Sequence, residues 1–181
     1  FRRWGNRCTV RPMKGTMRRG CTSLEDEKNR LFLQTDSKNR SENVMIVDLL
    51  RNDLGRLSKP GSVSVSSLFD VETYETLHQM TSTITGELPD EVQLYGLFKA
   101  LFPCGSVTGA PKIRTMEIIR QLEQEPRGVY TGAIGYIAPN GDAAFNVPIR
   151  TIVLARGKGE MGVGSGIVHD SNPEGEWQEC R

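Results

Sequence analysis

The stretch Glu42-Asn43-Val44-Met45-Ile46-Val47-Asp48-Leu49-Leu50-Arg51-Asn52-Asp53-Leu54-Gly55 decides the fold class. Its apolar residues, Val44, Met45, Ile46, Val47, Leu49, Leu50 and Leu54, predict a largely buried helix from Glu42 to Leu54, with Gly55 as a left-handed stop. Upstream, Ser37–Ser41 breaks the pattern. An earlier helix is expected from Thr22 or Ser23, N-cap residues that precede Glu25 and Asp26 by three positions. Cys8–Pro12 reads as a short strand, and Met13–Cys21 as a basic loop carrying Lys14, Gly15, Arg18 and Arg19. Downstream, Val63–Val65, Leu68–Tyr74 and His78–Thr85 read as strands. Val92, Tyr95, Phe98 and Phe102 recur at helical spacing. A small-residue loop, Pro103–Pro111, leads into a helix over Lys112–Leu122, with Pro111 suited to its first turn. Val129–Ala138, Ala143–Ala155 and Glu160–Val168 read as an antiparallel meander. A last helix is expected near Ser171, with Glu174 completing a capping box. The class is α+β.

Composition narrows the possibilities. The chain has 181 residues, with 23 Lys and Arg against 22 Asp and Glu and no long basic run, which argues against a nucleic-acid binder. A membrane span needs roughly 20 mostly apolar residues, and the longest uncharged stretch, Gly128–Gly141, is shorter and broken by Pro139 and glycines. The start, where Arg2, Arg3 and Arg7 lead into a strand-like stretch, does not read as a signal peptide. Cys8, Cys21, Cys104 and Cys180 form no CxxC pair, so reduced thiols in a cytoplasmic protein are expected. Without an initiator Met, and stopping at Cys180-Arg181 in what reads as mid-helix, residues 1–181 are expected to be one domain truncated at both ends.

Several constellations can carry chemistry. Asn39 and Glu42 are three apart, as are Glu176 and Glu179, so each pair shares a helix face. Converging faces would form a cage of oxygen ligands suited to Mg²⁺; the ordinary alternative is acidic side chains favouring a helix dipole. Gly105–Pro111 opens a helix and could cradle an anion, but it lacks the Gly-Lys-Ser/Thr of a Walker A loop. Gly162, Gly164 and Gly166 alternate along a segment where a ligand or another backbone could approach closely. Arg150, inside an apolar stretch, would need an anionic partner if buried. Lys14 is either a solvated lysine or, if enclosed among positive charges, a nucleophile or base. His78 is either a proton donor to a leaving group or a satisfied core histidine.

Together the motifs resemble the chorismate-utilising enzymes. The run Glu42–Arg56 is similar to the family signature, as are Gly105–Lys112, Tyr130–Tyr136, Ile149–Thr151 and Gly164–Val168, in the family's order and over essentially the whole chain. The family includes anthranilate synthase component I, aminodeoxychorismate synthase component I, isochorismate synthase and salicylate synthase. Arg11-Pro12-Met13-Lys14-Gly15-Thr16 resembles the aminodeoxychorismate branch, in which Lys precedes Gly-Thr; the anthranilate branch has Ala there. The resemblance implies a two-layer antiparallel β-sandwich with flanking helices. It also implies that Lys14 adds to the chorismate ring as the C4 hydroxyl leaves, helped by Mg²⁺, and that ammonia then displaces the lysine. Glu42, Glu176 and Glu179 become the implied metal ligands. His78, Thr16 and Ser106 would lie around the ring and leaving group, while Tyr130, Arg150, Gly164 and Gly166 would hold substrate carboxylates. Asn39 departs from the family's acidic residue and would weaken the metal site. The implied partners are a glutamine amidotransferase supplying ammonia and, from the stretch Phe145–Arg150, an aminodeoxychorismate lyase, fused or separate. The 181 residues alone are expected to be an incomplete enzyme. The rivals are an anthranilate synthase and a non-catalytic scaffold module.

Overall fold

The computed structural model describes the whole chain apart from Asp170 and the side chain of Glu179. The strands are β1 (Arg2–Trp4), β2 (Arg7–Val10), β3 (Met13–Arg18), β4 (Ser64–Thr73), β5 (Leu77–Glu87), β6 (Ile134–Ile137), β7 (Ala143–Asn146), β8 (Ile152–Ala155) and β9 (Lys158–Met161). The helices are α1 (Ser23–Thr35), α2 (Ser37–Gly55), α3 (Leu94–Leu101), α4 (Gly105–Thr108), α5 (Lys112–Leu122) and α6 (Pro173–Glu179). The expected α+β class with antiparallel sheet is found. β3, β5, β2, β1, β7 and β6 follow one another in a seven-stranded sheet in which β4 also pairs with β5; β8 and β9 form a second, two-stranded sheet.

β5 organises the larger sheet. Its residues 84–87 pair with β2 and its residues 77–81 with β3, so those two strands lie in line along one edge, broken at Arg11-Pro12; β4 takes the other edge. The even-numbered residues His78, Met80, Ser82 and Ile84 are all at most 1% exposed. Ile84 joins Cys8 and Val10 of β2, Ile46, Val47, Leu50 and Leu54 of α2, and Leu97 and Leu101 of α3 in one apolar core. α1 is capped by Thr22, whose hydroxyl accepts from the Glu25 N–H at 3.2 Å, and α5 spans the expected residues.

Several expectations need correction. Met13–Arg18 is a strand, not a loop, because β5 offers it a ladder; the register shifts between Met13 and Thr16, which leaves Lys14 and Gly15 on a bulge. α2 begins at Ser37 because the Asp36 carboxylate accepts the Asn39 N–H at 2.9 Å, so Ser37–Ser41 is helical. Its end lacks the left-handed glycine: Gly55 is the last helical residue and Arg56 caps it at φ −69°. α6 is capped by Asn172, with Pro173 in its first turn, rather than by Ser171. The three-stranded meander is absent. Val147–Thr151 interrupts the expected strand, so β6–β7 joins the large sheet through β1 while β8–β9 stands apart.

Candidate functional site

Three segments carry expected site residues. The first is the bulge itself. Gln79 on β5 clamps it, donating to the Gly15 carbonyl at 2.7 Å while its side-chain oxygen accepts from the Thr16 hydroxyl at 3.0 Å. Gly15 has φ +90°, and a Cβ there would meet Asn39 Oδ1 at 2.9 Å and Leu33 at 3.1 Å. Only glycine permits this close approach of bulge and α2.

The second segment is the glycine-rich stretch after β9. A Cβ on Gly166 would lie 4.0 Å from Lys14 Nζ, and one on Gly164 would lie 2.7 Å from the Tyr130 hydroxyl. Gly162 lies over the same tyrosine ring so closely that a side chain would collide with it. Gly162 and Gly164 thus let the backbone run across Tyr130, and Gly166 passes the Lys14 amine at ordinary contact distance.

The third segment is α6, which carries Glu176. The hydroxyls of Ser165 and Ser171, beside Glu176, hold its carboxyl below the usual carboxylate range, and the Lys38 ammonium acts in the same direction. Oε2 of Glu176 is buried without a hydrogen-bond partner. Lys38 stands on α2 one helical turn before Glu42. Among the described residues no three His, Cys, Asp or Glu side chains gather as a metal-binding group. The side chain of Glu179, one of the expected ligands, lies outside the described residues.

Other expected site residues fall elsewhere. His78 is 1% exposed with both ring nitrogens engaged: Nδ1 with the Thr73 hydroxyl at 3.0 Å, Nε2 with Asp26 Oδ1 at 3.0 Å. Arg19, at 2.7 Å through two nitrogens, and the Gly20 N–H at 2.9 Å hold Asp26 far below the usual carboxylate range. The ionised Asp26 accepts from Nε2–H, and the Thr73 hydroxyl completes the hydrogen bonding of the ring at Nδ1. Ser106 stands on α4, its hydroxyl 3.0 Å from Cys104 Sγ. Gly105 beside it packs against Leu49, seven residues along α2 from Glu42 and therefore about 10 Å up the helix axis. Arg150 is exposed, at φ +51° on the break between β7 and β8, so burial makes no demand for an anionic partner. Two concavities, of about 510 and 190 Å³, share Tyr130 and Arg127 but include neither Lys14 nor Glu42 nor Glu176.

Two polar contacts escaped the sequence reading. Lys112 pairs with the nearly buried Asp53 at 2.6 Å and donates to the Ala100 carbonyl at 3.1 Å, tying α5 to α2 and α3. Asn43, fully buried, accepts from the Ser82 hydroxyl at 2.6 Å. The polar positions Asn43 and Asp53, set within an apolar helical run, were the available signal.

Residues 1–181 match the family model described as chorismate binding enzyme. The chain is 48% identical over 170 residues to the chloroplastic aminodeoxychorismate synthase of Arabidopsis thaliana, covering 94% of this chain and 18% of that protein. It is 46% identical over 170 residues to aminodeoxychorismate synthase component 1 of Escherichia coli (strain K12), covering 94% and 38%. The crystal structure of anthranilate synthase component I from Streptococcus pneumoniae TIGR4 superposes with a TM-score of 0.88 at 38% identity, covering 99% of this chain and 39% of that one. The chain therefore spans less than two fifths of each of these relatives. A match from the first residue to the last, on a fold shared with solved relatives, establishes that this chain belongs to the chorismate binding enzyme family.

Proposed function

We propose that the polypeptide carrying this chain aminates chorismate at C4 to give 4-amino-4-deoxychorismate for 4-aminobenzoate synthesis. A glutamine amidotransferase would deliver the ammonia and an aminodeoxychorismate lyase would consume the product. The observation that carries this reading is the Lys14 amine, which reaches from an interrupted strand to the glycine-rich backbone at Gly166. The relatives named aminodeoxychorismate synthase favour this reaction over its rivals.

In the proposed chemistry the Lys14 nitrogen forms a bond to the ring as the C4–O bond breaks, and the hydroxyl leaves with the amine's proton as water. Ammonia then forms a bond to C4. The bond to Lys14 breaks, its electron pair returns to the lysine nitrogen, and ammonia's surplus proton restores the amine. Backbone N–H groups around Gly164–Gly166, with Tyr130 and Arg150, would hold substrate carboxylates. Thr16, through Gln79, fixes the bulge that aims the lysine. The donor set fits a hard divalent cation: Glu176 is held ionised and keeps one buried oxygen unpartnered. Glu42, Glu176 and Glu179 would hold Mg²⁺, which would supply positive charge for a substrate carboxylate.

The test uses the intact polypeptide with chorismate, Mg²⁺ and ammonium, its products read by mass. The expected product is 4-amino-4-deoxychorismate, or 4-aminobenzoate where a lyase is attached. Lys14→Ala should lower its formation by on the order of 10³-fold or more with an unchanged circular dichroism spectrum. Anthranilate with pyruvate would instead assign the anthranilate reaction. Full activity of Lys14→Ala would remove the lysine from the chemistry.

A further inference from the structure

Resting on the function just proposed, we infer that the buried Asn43–Ser82 pair positions the Glu42 carboxylate relative to the Lys14 amine. Ser82 lies on β5 between the two segments that carry those groups. Its N–H donates to the Pro12 carbonyl at 3.1 Å, two residues before Lys14. Its hydroxyl donates to Asn43 Oδ1 at 2.6 Å, and Asn43 adjoins Glu42 on α2. The Ser82 hydroxyl oxygen also accepts from the Phe69 N–H at 3.1 Å, within a register shift of β4 where Phe69 adopts φ +61°. The Arg40 guanidinium, one turn before Asn43, stacks 4.4 Å from the centre of the Phe69 ring. One serine thus links the lysine's strand, the helix bearing Glu42 and the bulge of the opposite strand.

The energetics favour a positioning role over a purely cohesive one. Asn43 and Ser82 are both 0% exposed, and Asn43 Nδ2 has no hydrogen-bond partner. Burying an amide donor unpaired is costly, and apolar side chains of similar shape would fill the same space without that penalty. The amide does what an apolar side chain cannot. Its short, directional bond to Ser82 fixes the rotation of α2 about its axis, and that rotation sets where Glu42 and Asn39 point. Gly15, against Asn39 on the same helix, holds the bulge to the same surface.

The intact polypeptide tests this, with kcat normalised to the folded fraction from tryptophan fluorescence. Ser82→Ala removes the hydroxyl at little change in volume; Ser82→Thr restores a hydroxyl. A misplacement near 1 Å can cost roughly 100-fold in rate, so Ser82→Ala is expected to lower kcat by about 10- to 100-fold, with the chorismate KM within about twofold. The concentration of Mg²⁺ giving half-maximal binding in calorimetry should rise, and Ser82→Thr should recover most of both losses. A kcat within twofold of the parent in Ser82→Ala, or equal loss in Ser82→Thr and Ser82→Ala, overturns the proposal. Lys14→Ala and Glu42→Gln run alongside: if both keep full amination, the functional reading fails first, whereas their loss beside an active Ser82→Ala isolates the failure to the Asn43–Ser82 pair.

Discussion

The part of the molecule up to Leu101 and the part from Ile134 onward contain similar apolar residues and bury them very differently. Leu33, Leu54, Met80, Ile84, Leu88 and Leu97 are fully buried. Every residue of β6, β8 and β9 is exposed, although Ile134, Ile137, Ile152, Val153 and Leu154 are as suited to a core as anything in β5. Composition sets what a segment can bury; a facing layer sets whether it does. The first part has that layer because α1 and α2 lie over one face of β5 and α3 packs beside α2 in the same core. The candidate site straddles the divide. Lys14, Asn39 and Glu42 come from the packed part, Gly164, Gly166 and Glu176 from the exposed one, and Tyr130 from the segment between them.

The sharpest way to break this comparison is to truncate one leucine on each side in this chain. Leu54→Ala should cost about 2–5 kcal/mol, whereas Leu154→Ala, at a side chain 80% exposed, should stay within about 0.5 kcal/mol. Equal shifts in urea denaturation would erase the distinction. Acid titration is the next probe, because Asp26 belongs to the packed part. Arg19, chiefly, and the Gly20 N–H hold its folded carboxyl below its unfolded value of about 4. Its contribution is therefore fully present above about pH 4 and is lost as pH falls through the lower folded value. Asp26→Asn should be less stable at pH 7 and show a flatter fall in stability on acidification; parallel curves would detach Asp26 from that fall.

The smallest effect concerns the thiols. Burial pushes the Cys8 thiol up to about 11, while Cys21 is exposed. A disulfide reagent at pH 8 should modify Cys21 and leave Cys8 untouched until the chain unfolds. The neutral thiol's contribution holds below about pH 8.5 and is lost as pH rises through about 11. Rapid native labelling of Cys8 would show that β2 opens far more readily than its burial suggests.

Local signals located α1 and α5 almost to the residue, because a cap and a helical period are contained within a few positions. They misjudged Met13–Arg18, whose strand character depends on a partner some sixty residues later, where Thr16 meets Gln79. They missed the first turn of α2, because Ser37–Ser41 is polar throughout and only the Asp36 side chain marks the helix start. The meander failed at Pro148, which lacks an N–H for a ladder. The site was legible only as motifs. No spacing could bring Lys14 to Gly166, or Tyr130 beneath Gly162 and Gly164; the family resemblance grouped them, and the backbone path of residues 162–166 supplies the physical reason. Nothing local to His78 announces that Asp26 and Thr73 occupy both its nitrogens.

The pairing of β1 with β7 has a consequence for vectorial synthesis. Arg2 and Arg3 find their partners at Ala144 and Ala143, and the Phe1 ring lies 5.4 Å from Phe145 and 5.5 Å from Phe98. A ribosome adding ~5–20 residues per second leaves that edge of β1 waiting on the order of ten seconds for its strand. During that interval β2 can dock on β5 while the outer edge of β1 presents unpaired amides to other nascent chains. That late pairing closes one edge of β1, and chaperone occupancy during translation should peak before residue 143 emerges.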